Sequence, residues 1–303
     1  MNLRDLEYLV ALDEHRHFGR AAAACYASQP TLSTQVRKLE TELGVQLIER
    51  GARQVLFTPA GEEVVRRARH ILAEADDIRD IARQLNTPHT GSVRLGVFPT
   101  LGPYLLPHAV PSLGETFPEL EVFLTEDKSQ ELLDLLKHGR LDAAILALPV
   151  HDESLEHASL FREDFLLATP VGHDLAGDGE VRSADLKGER LLLLNEGHCL
   201  RDQALEFCHA AGAGERDGFR ATSLETLRHM VASGVGITLL PQLSVAPPVT
   251  ENPRIALRRF ADPAPHRDLA LFWRKTSVYR ELMPQIAEVL RESAGALVEP
   301  LAS

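Results

Sequence analysis

Cysteine is scarce in this chain, which has three among its 303 residues. Small secreted domains rely on dense disulfide frameworks, and three cysteines are too few to build one. No apolar run approaches the roughly 18 residues that a membrane-spanning helix requires. The chain starts with MNLRDLE, which carries charges where a secretory signal needs an apolar segment. These absences exclude a secreted scaffold and a membrane protein, and they predict a cytoplasmic chain.

An excess of positive charge is also lacking, since the chain has 32 basic and 44 acidic residues and a formal net charge of -12. Affinity for nucleic acid depends largely on neutralising phosphates, so this charge by itself argues against DNA. The distribution weakens that objection, because residues 1–60 hold seven basic and seven acidic side chains. The whole acidic excess therefore lies beyond residue 60, and a neutral DNA-binding segment at the N-terminus remains open.

The length, with 44% hydrophobic residues, allows about two domains with real cores. Three helices are predicted before Gly44, with a break at 26–28 between the second and the third. Ser28 suits the cap of the third helix, and Pro30 is tolerated in its first turn. The buried stripe of that helix is predicted to contain Leu32, Val36, Leu39 and Leu43. This arrangement is typical of a helix-turn-helix, in which the N-terminal residues of the recognition helix meet base edges.

The third helix carries polar residues on its outer face and at its leading end. The candidates for DNA contact there are Gln29, Pro30, Thr31, Ser33 and Thr34. Short strands at 45–48 and 55–57 are predicted to pair as a wing, in which Arg50 and Arg53 would reach phosphate or the minor groove. A three-helix unit of this kind is also a common interaction module, so the pattern alone leaves that role open.

A long helix with a heptad pattern is predicted after the wing, capped by Thr58 with Pro59 in its first turn. Its apolar residues step alternately by four and three: Val64, Ala68, Ile71, Ala75, Ile78, Ala82 and Leu85. This spacing favours a seam against a second copy of the chain, although a helix packed on its own domain is the alternative. A polar hinge at 86–92 follows. The predicted domains are a winged helix-turn-helix at 1–58, a linker helix and hinge at 59–90, and a regulatory domain at 91–303.

Beyond the hinge, apolar strands alternate with helices, which predicts a parallel sheet. Strands are predicted at 93–97, 120–124, 143–148, 166–169, 191–194, 236–240 and 269–273. Helices are predicted at 104–117, 131–138, 200–211, 223–233 and 278–293. The length suggests two α/β lobes with a cleft between them.

Two of the three cysteines, Cys199 and Cys208, lie within the single segment 195–209. Apolar spacing there predicts a helix that starts at Cys199 and buries Cys208. A thiol at a helix N-terminus feels the positive end of the helix dipole, and His198 and Arg201 lie beside it, so its thiolate should be favoured. Cys199 is therefore a candidate nucleophile towards an oxidant.

The spacing of the two cysteines predicts a conformational consequence of oxidation. Nine residues of helix separate them by about 13 Å, whereas a disulfide tolerates Cα separations of only about 4.4–6.8 Å. A sulfenic acid on Cys199 that condensed with Cys208 would therefore unwind the helix and act as a switch. A metal site is an alternative use of His198, Cys199, Cys208 and His209, although such spacing is unusual for zinc. Cys25 ends an alanine-rich helix and is predicted to be inert core.

Three motifs carry a family resemblance: GHCLRDQA with FC at 197–208, FRATSLETLR at 219–228 and GITLLP at 236–241. With them the chain resembles the peroxide-sensing LysR-type transcriptional regulators, from its first residues to about residue 290. The resemblance implies an all-α winged helix-turn-helix DNA-binding domain plus linker helix, followed by an α/β periplasmic-binding-protein-like effector domain of two lobes with crossing strands. It also implies double-stranded DNA, hydrogen peroxide and RNA polymerase as partners, no cofactor or metal, and a homodimer that assembles into a homotetramer.

The resemblance also implies roles for particular residues. It places DNA contacts at Arg4, Thr31, Ser33 and Arg50. It places Thr100, Ser129, His198 and Asp202 around Cys199, and the first two also follow predicted strands, where α/β sheets hold ligands. The family usually has threonine at the position of Ser129. Serine keeps the hydroxyl group and lacks the methyl group. The family also has an arginine near this pocket, on a strand late in the chain. Arg267 is the candidate for that position, and His266 is the alternative.

The resemblance implies a non-enzymatic activator of peroxide-defence genes, in which peroxide oxidises Cys199 and a disulfide forms with Cys208. Two other functions stay open. One is a LysR-type regulator that responds to a small metabolite bound between the two lobes, with incidental cysteines. The other is a thiol peroxidase joined to a DNA-binding head.

Overall fold

The computed structural model describes residues 1–49, 55–84 and 90–301. The chain divides into two compact units, Met1–Thr87 with Lys137–Arg140, and Pro88–Leu136 with Leu141–Ser303. The first is helical and the second is α/β, so the change of pattern near residue 90 corresponds to a change of architecture. No helix of the described residues is both long and apolar enough to cross a membrane.

The helical unit consists of α1 Leu3–His15, α2 Phe18–Ala24, α3 Gln29–Leu43 and α4 Pro59–Gln84. Ser28 caps α3 as predicted, because its side chain accepts the Thr31 N–H. Leu32, Val36 and Leu39 are buried in the core of this unit. The prediction for Leu43 is wrong: its side chain is exposed, because it lies in the last turn before Gly44 ends the helix in the left-handed conformation.

Within the described residues, the predicted wing has one antiparallel bridge, between Ile48 and Phe57. The Glu49 N–H donates to the Leu56 carbonyl at 2.9 Å beside that bridge, so the two segments do lie antiparallel. Arg50 and Arg53 fall outside the described residues. Thr58 closes the segment: its hydroxyl donates to the Gln46 carbonyl and accepts the Gly61 N–H in the first turn of α4.

The heptad stripe of α4 becomes more exposed along the helix. Ala68 is buried and Val64 and Ala75 are half-buried, whereas Ile71 is 43% exposed and Ile78 is 68% exposed. The side chain of Ala82 and all of Leu85 lie outside the described residues, as does the predicted hinge up to residue 89. Gly91 and Ser92, predicted in the hinge, begin a strand instead.

The α/β unit contains two lobes. The elements of the first lobe are β1 Gly91–Val97, α5 Gly102–Thr116, β2 Leu120–Glu126, α6 Ser129–Lys137 and β3 Ala143–Ala147. The elements of the second lobe are β5 Arg190–Leu194, α7 Cys199–Ala211, β6 Gly214–Ala221, α8 Leu224–Ala232, β7 Thr238–Pro241 and β8 Ile255–Arg258. β1 pairs in parallel with β2 and β3, and β5 pairs in parallel with β6, as the alternation of strands and helices predicts.

One long strand, β4 Leu155–Pro170, runs through both lobes. Residues 155–164 pair with β9 His266–Arg274 of the first lobe, and residues 165–170 pair with β7 and β8 of the second, always antiparallel. The predicted parallel pairing is present among β1, β2 and β3 and between β5 and β6, and the crossing strand implied by the family resemblance adds antiparallel pairs to it. The sequence predicts only residues 166–169 of β4. It also misses β6, whose charged and exposed residues break the apolar pattern, and β8, which has only four residues.

The chain closes on the first lobe with α9 Met283–Ala294 and the short strand β10 Glu299–Pro300, which pairs with β4. A single apolar cluster extends through the α/β unit and includes Cys208. The starts of α5, α6 and α7 follow β1, β2 and β5, so they lie at the carboxyl ends of parallel strands, where such sheets place ligands.

Candidate redox site

Cys199 is the first residue of α7, as the sequence predicts. The buried strand β5 ends at Leu194, and the chain then turns through Gly197, whose φ of +89° is a conformation that glycine adopts readily. His198 precedes the helix with extended backbone, and Cys199 follows it half-buried with a free thiol. No described residue forms a hydrogen bond with its Sγ. The strand, the turn and the helix therefore present an unengaged sulfur at a helix N-terminus.

Cys208 lies on the buried face of the same helix. Its side chain is fully buried, and this burial raises the pKa of the thiol to about 11. The end of the helix is held by Gly212, which adopts the left-handed conformation, and by an edge-on contact between Phe207 and Phe260 with ring centroids 5.2 Å apart. Cys208 is therefore a protonated, inert thiol while α7 remains wound.

Cys199 and Cys208 belong to one continuous helix in which both thiols are free. Nine residues at about 1.5 Å per residue separate their backbones by about 13 Å, roughly twice the span of a disulfide. The described conformation is the reduced one, and no rotation of side chains could join the two sulfurs. Oxidation to a disulfide requires α7 to come apart.

Arg201, expected to support the Cys199 thiolate, is engaged elsewhere. Its guanidinium is buried and donates two hydrogen bonds to Glu215 on β6, at 2.7 and 2.8 Å, and one to the Leu194 carbonyl at 2.9 Å. This corrects the expectation, because the charge is neutralised by the carboxylate and the side chain fastens α7 to β5 and β6. The hydrogen bonds from Arg201 also lower the pKa of Glu215.

Replacing Glu215 by glutamine is expected to loosen α7 in the reduced protein. The substitution removes a bidentate charged pair that is largely buried, and hydrogen bonds of this kind contribute about 1.5–3 kcal/mol, so amide exchange in α7 should quicken by about tenfold or more. Hydrogen exchange of the reduced protein measures this. Asp217→Asn on the same strand is the control, because the Arg190–Asp217 pair is exposed to solvent. Equal exchange in both variants would contradict the role of the Arg201–Glu215 pair.

The same variant should change the acid dependence of the protein. The pKa of Glu215 is lower in the folded protein than in the unfolded chain, where it is about 4.3. The pair therefore stabilises α7 and β6 fully above that value, and the stabilisation is lost as the pH falls through the folded value. In Glu215→Gln, the amide protons of α7 should therefore lose less of their protection from exchange on acidification than they do in wild type.

Thr100 and Arg267, two of the predicted pocket residues, are in direct contact. Arg267 donates to the Thr100 hydroxyl at 2.9 Å and to the Thr100 carbonyl at 3.0 Å. Its Nε donates to Glu163 at 2.7 Å, and both charged side chains are fully buried. Glu163 also accepts the Leu243 N–H at 2.8 Å, which ties this pair to the second lobe. A buried ion pair thus fixes the hydroxyl of Thr100 where the lobes meet.

The neighbouring His266 has an exposed side chain, unlike Arg267. Its Nδ1 lies within hydrogen-bond distance of the Ala264 carbonyl. Of the two late-strand candidates, Arg267 is the one that contacts a predicted pocket residue. On the α6 side, Ser129 is the first helical residue, and its hydroxyl is buried without a hydrogen-bond partner among the described residues. Such a hydroxyl is free to bind a small polar ligand.

His198 and Asp202, the remaining predicted pocket residues, differ in environment. His198 is buried, and desolvation, together with the charge of Lys128, lowers the pKa of its imidazole. It is therefore neutral at physiological pH and adds no positive charge beside Cys199. Asp202 lies in the first turn of α7 with an exposed side chain. No described group of three or more His, Cys, Asp or Glu side chains could hold a metal ion.

Sequence reasoning missed three residues of this region: Glu163, Glu215 and Lys128. Lys128 donates from its ammonium group to the Glu196 carbonyl at 2.9 Å, across the two lobes. Glu163 and Arg267 are 104 positions apart, and they face each other only because β4 and β9 pair in that register. No local pattern marks such partners. Glu163 lies between Arg162 and Asp164, and nothing in this charged run shows from the sequence that Glu163 is the buried member.

The candidate DNA-binding residues form a polar surface on the helical unit. Gln29, Pro30, Thr31 and Thr34 are exposed at the start of α3, while Ser33 is half-buried. Arg4 lies on α1, where it donates to Glu7 and to the Cys25 carbonyl at the end of α2. Cys25 itself is buried in the helical core, and burial raises the pKa of its thiol.

Comparison with known proteins covers both units. Residues 3–62 match the family model described as bacterial regulatory helix-turn-helix protein, lysR family, and residues 86–295 match the LysR substrate binding domain. A DNA-binding transcriptional dual regulator of Escherichia coli, OxyR, is 51% identical over 291 residues, covering 96% of this chain and 95% of the relative. A hydrogen peroxide-inducible genes activator of Pectobacterium carotovorum is 50% identical over 301 residues, covering 99% of both chains.

Among solved structures, the full-length OxyR of Pseudomonas aeruginosa, in a variant with one cysteine replaced by aspartate, matches with a TM-score of 0.80. It is 36% identical in sequence, and the match covers 100% of this chain and 98% of that one. The order of domains is therefore shared along the entire chain.

Proposed function

The chain belongs to the LysR family of bacterial regulators and to its OxyR group, and we propose that it is a DNA-binding transcriptional regulator switched by hydrogen peroxide at Cys199 and Cys208. One observation carries the proposal. A half-buried, unengaged thiol starts a helix whose other cysteine is fully buried and protonated. Such an arrangement can be oxidised easily at one sulfur only, and it converts that oxidation into a change of fold.

The chemistry proceeds in two balanced steps. The Cys199 thiolate attacks one oxygen of hydrogen peroxide, the O–O bond breaks, and the products are a sulfenic acid and hydroxide, which takes up a proton to become water. The sulfur of Cys208 then attacks the sulfenic sulfur, a disulfide forms, and a second water leaves. Two thiols are oxidised and one peroxide is reduced to two waters. Each protomer consumes one equivalent, so the proposed role is that of a sensor rather than an enzyme.

The residues around Cys199 suit the first step. We assign the peroxide site to the hydroxyls of Thr100 and Ser129, to His198 and, at the edge, to Asp202, with Arg267 holding Thr100. Hydroxyl and imidazole groups can place the leaving oxygen and protonate it as it departs. The partnerless hydroxyl of Ser129 supports this assignment, because a buried group of this kind lacks a bond that a ligand could supply.

The second step couples chemistry to structure. Cys208 must leave the apolar core, so α7 unwinds and the Arg201–Glu215 pair is broken. β6 follows directly after α7 and pairs only with β5 in a two-stranded sheet, so the refolded segment has few strand contacts to retain it. The lobe surface formed by α7 and β6 changes, and a change of assembly follows if that surface packs against other protomers.

We propose that residues 1–58 bind double-stranded DNA and that residues 59–90 link them to the regulatory domain 91–303. Gln29, Pro30, Thr31, Ser33 and Thr34 would contact bases from α3, with Arg4, Arg50 and Arg53 on the backbone or in the minor groove. Assembly would proceed from a homodimer through α4 to a homotetramer, and contact with RNA polymerase would follow on the promoter. Binding to DNA, and a switch that starts from reduced thiols, support a cytoplasmic location for the proposed regulator.

Replacing Ile71 and Ile78 together by aspartate is expected to separate the proposed dimer. Both side chains are exposed on α4, and their burial in a seam between two copies would contribute about 3 kcal/mol or more, roughly 100-fold in the dissociation constant. Light scattering at micromolar concentration measures the mass. The control replaces both by valine, which keeps the stripe apolar and should keep the dimer. A monomeric wild-type protein would contradict the seam.

The proposal is tested by footprinting promoter DNA before and after one equivalent of peroxide, with wild type beside Cys199→Ser. The footprint of the wild type should change and that of the variant should not. An unchanged wild-type footprint would reject the proposal. A variant that still responds would favour a metabolite-responsive regulator with incidental cysteines. Consumption of many equivalents of peroxide per protomer in the presence of a reductant would instead indicate a thiol peroxidase.

A further inference from the structure

Lys128 connects the two lobes at the point where α7 begins. It directly precedes α6 of the first lobe, and its ammonium donates at 2.9 Å to the carbonyl of Glu196, in the turn between β5 and α7. Its side chain is half-buried. The turn that positions Cys199 is therefore bonded to the opposite lobe through one side chain.

The fit of Lys128 against this turn is close. A Cβ atom on Gly197 would lie 2.9 Å from the Lys128 Cδ and 3.0 Å from its Nζ, so the end of the lysine side chain would have to shift. Gly197 also has a φ of +89°. The turn therefore requires glycine for its backbone conformation, and the absence of a Cβ atom also leaves room for the Lys128 side chain. The Lys128 side chain therefore lies against the turn as well as forming a hydrogen bond with it.

The charge of Lys128 is not neutralised by an ion pair within the described residues. Asp127 accepts the backbone N–H of Lys128, and the carboxylate of Glu196 pairs with Arg220 at 3.3 Å. The charge reaches His198, the residue before Cys199, since it helps to lower the pKa of that imidazole. Asp202 is the acidic group in the first turn of α7. Arg201 is paired with Glu215, so Lys128 is the cation within the described residues whose charge acts on His198.

We propose that Lys128 is a positioning residue for the reaction of Cys199 with peroxide, because its ammonium both fixes the turn before α7 and supplies positive charge beside the helix start. The inference rests on the proposed function. A negative sulfur at Cys199 gains from a fixed cation nearby in the same way as it gains from the helix dipole. The hydrogen bond from Lys128 to Glu196 keeps the ammonium group near the N-terminus of α7 while the Cys199 thiolate attacks the peroxide oxygen.

The two contributions of Lys128 can be separated by substitution. Lys128→Gln keeps a donor for the Glu196 carbonyl but removes the charge. Lys128→Arg keeps both. Lys128→Met keeps most of the stem and removes both the charge and the donor. A role in packing alone predicts that glutamine and arginine behave alike, whereas a role through charge predicts that only arginine retains the wild-type rate.

The experiment uses the full-length protein with Cys208→Ser, so that only the first step occurs. The rate of sulfenic acid formation with hydrogen peroxide is followed by mass spectrometry after trapping with a dimedone-type reagent, across a series of pH values. Lys128→Gln should slow the reaction by about fivefold at neutral pH, and the rate should recover at higher pH. Lys128→Arg should stay within about twofold of the parent, and Lys128→Met should be at least as slow as Lys128→Gln.

Lys275→Gln is the matched control, because it removes the same charge from an exposed position after β9 in the first lobe. It should leave the rate unchanged. An unchanged rate in Lys128→Gln, or an equal loss in Lys275→Gln, would overturn the inference while leaving peroxide sensing intact. A parent protein that forms no sulfenic acid would overturn the proposed function and the inference with it. The fluorescence of Trp273 checks that each variant is folded.

Discussion

Replacing Cys208 by alanine is expected to stop the protein at the sulfenic acid of Cys199. Peroxide should still oxidise Cys199, since the first step needs no second thiol, but no disulfide can hold α7 unwound. A disulfide contributes about 2–4 kcal/mol to the state that it closes, so the oxidised conformation should be populated roughly 30- to 1,000-fold less. Mass spectrometry after one equivalent of peroxide detects the crosslinked peptide in wild type and a trapped sulfenic acid in the variant.

Alanine is chosen because the site is fully buried and apolar. Cys208→Ser is the companion variant: it is closer in size but places a hydroxyl in the core, so any difference between the two measures destabilisation rather than redox chemistry. Cys25→Ala is the control, since Cys25 lies in the other unit and should leave the crosslink intact. A wild-type protein that never forms the crosslink between Cys199 and Cys208 would end the case for a disulfide switch.

Replacing Glu163 by glutamine is expected to destabilise the α/β unit by about 3–5 kcal/mol. Glu163 and Arg267 are both fully buried, so the substitution leaves a buried guanidinium without its counter-charge. The loss should also reach the site, because Arg267 holds both the hydroxyl and the carbonyl of Thr100. Urea unfolding followed by the fluorescence of Trp273 measures the stability. Trp273 is the single tryptophan and is buried on β9, the strand that carries Arg267.

Asp217→Asn serves again as the matched control, because it neutralises the acidic partner of an arginine at an exposed position, where ion pairs contribute little to stability. Asp217→Asn should unfold at the same urea concentration as the wild type. A second variant, Glu163→Leu with Arg267→Met, replaces the pair by apolar residues and should recover much of the stability without restoring the contacts to Thr100. If Glu163→Gln unfolded like wild type, the buried pair would not hold the lobes as described.

The regulatory unit thus combines a firm part with a labile one. The strands β4 and β9 form a long antiparallel pair that includes the buried Glu163 and Arg267. By contrast, α7 is followed by β6, which pairs only with β5, and the Arg201–Glu215 pair is less completely buried than the Glu163–Arg267 pair. Local unfolding begins where contacts are few. The two cysteines lie in the labile part, and Thr100 is anchored in the firm part.

The sequence by itself determined much of the local structure. The cap at Ser28 and the stop at Gly44 delimit α3, and the apolar spacing after Gly197 sets the start of α7 at Cys199 and the burial of Cys208. These features depend on residues within a few positions of each other, so their physics is visible in the chain. The most important conclusion, that the two sulfurs cannot meet within one helix, also follows from local geometry alone.

Only the tertiary structure decided which charges meet. Glu163 faces Arg267 because two strands pair in one register, Arg201 turns to Glu215 rather than to Cys199, and Lys128 reaches Glu196 across the lobes. A crossing strand such as β4 is likewise fixed by its partners at both ends, and its charged first half hides it from a search for apolar runs. Pairing of this kind depends on how segments that are distant in the sequence pack together, so the local pattern of side chains does not predict it.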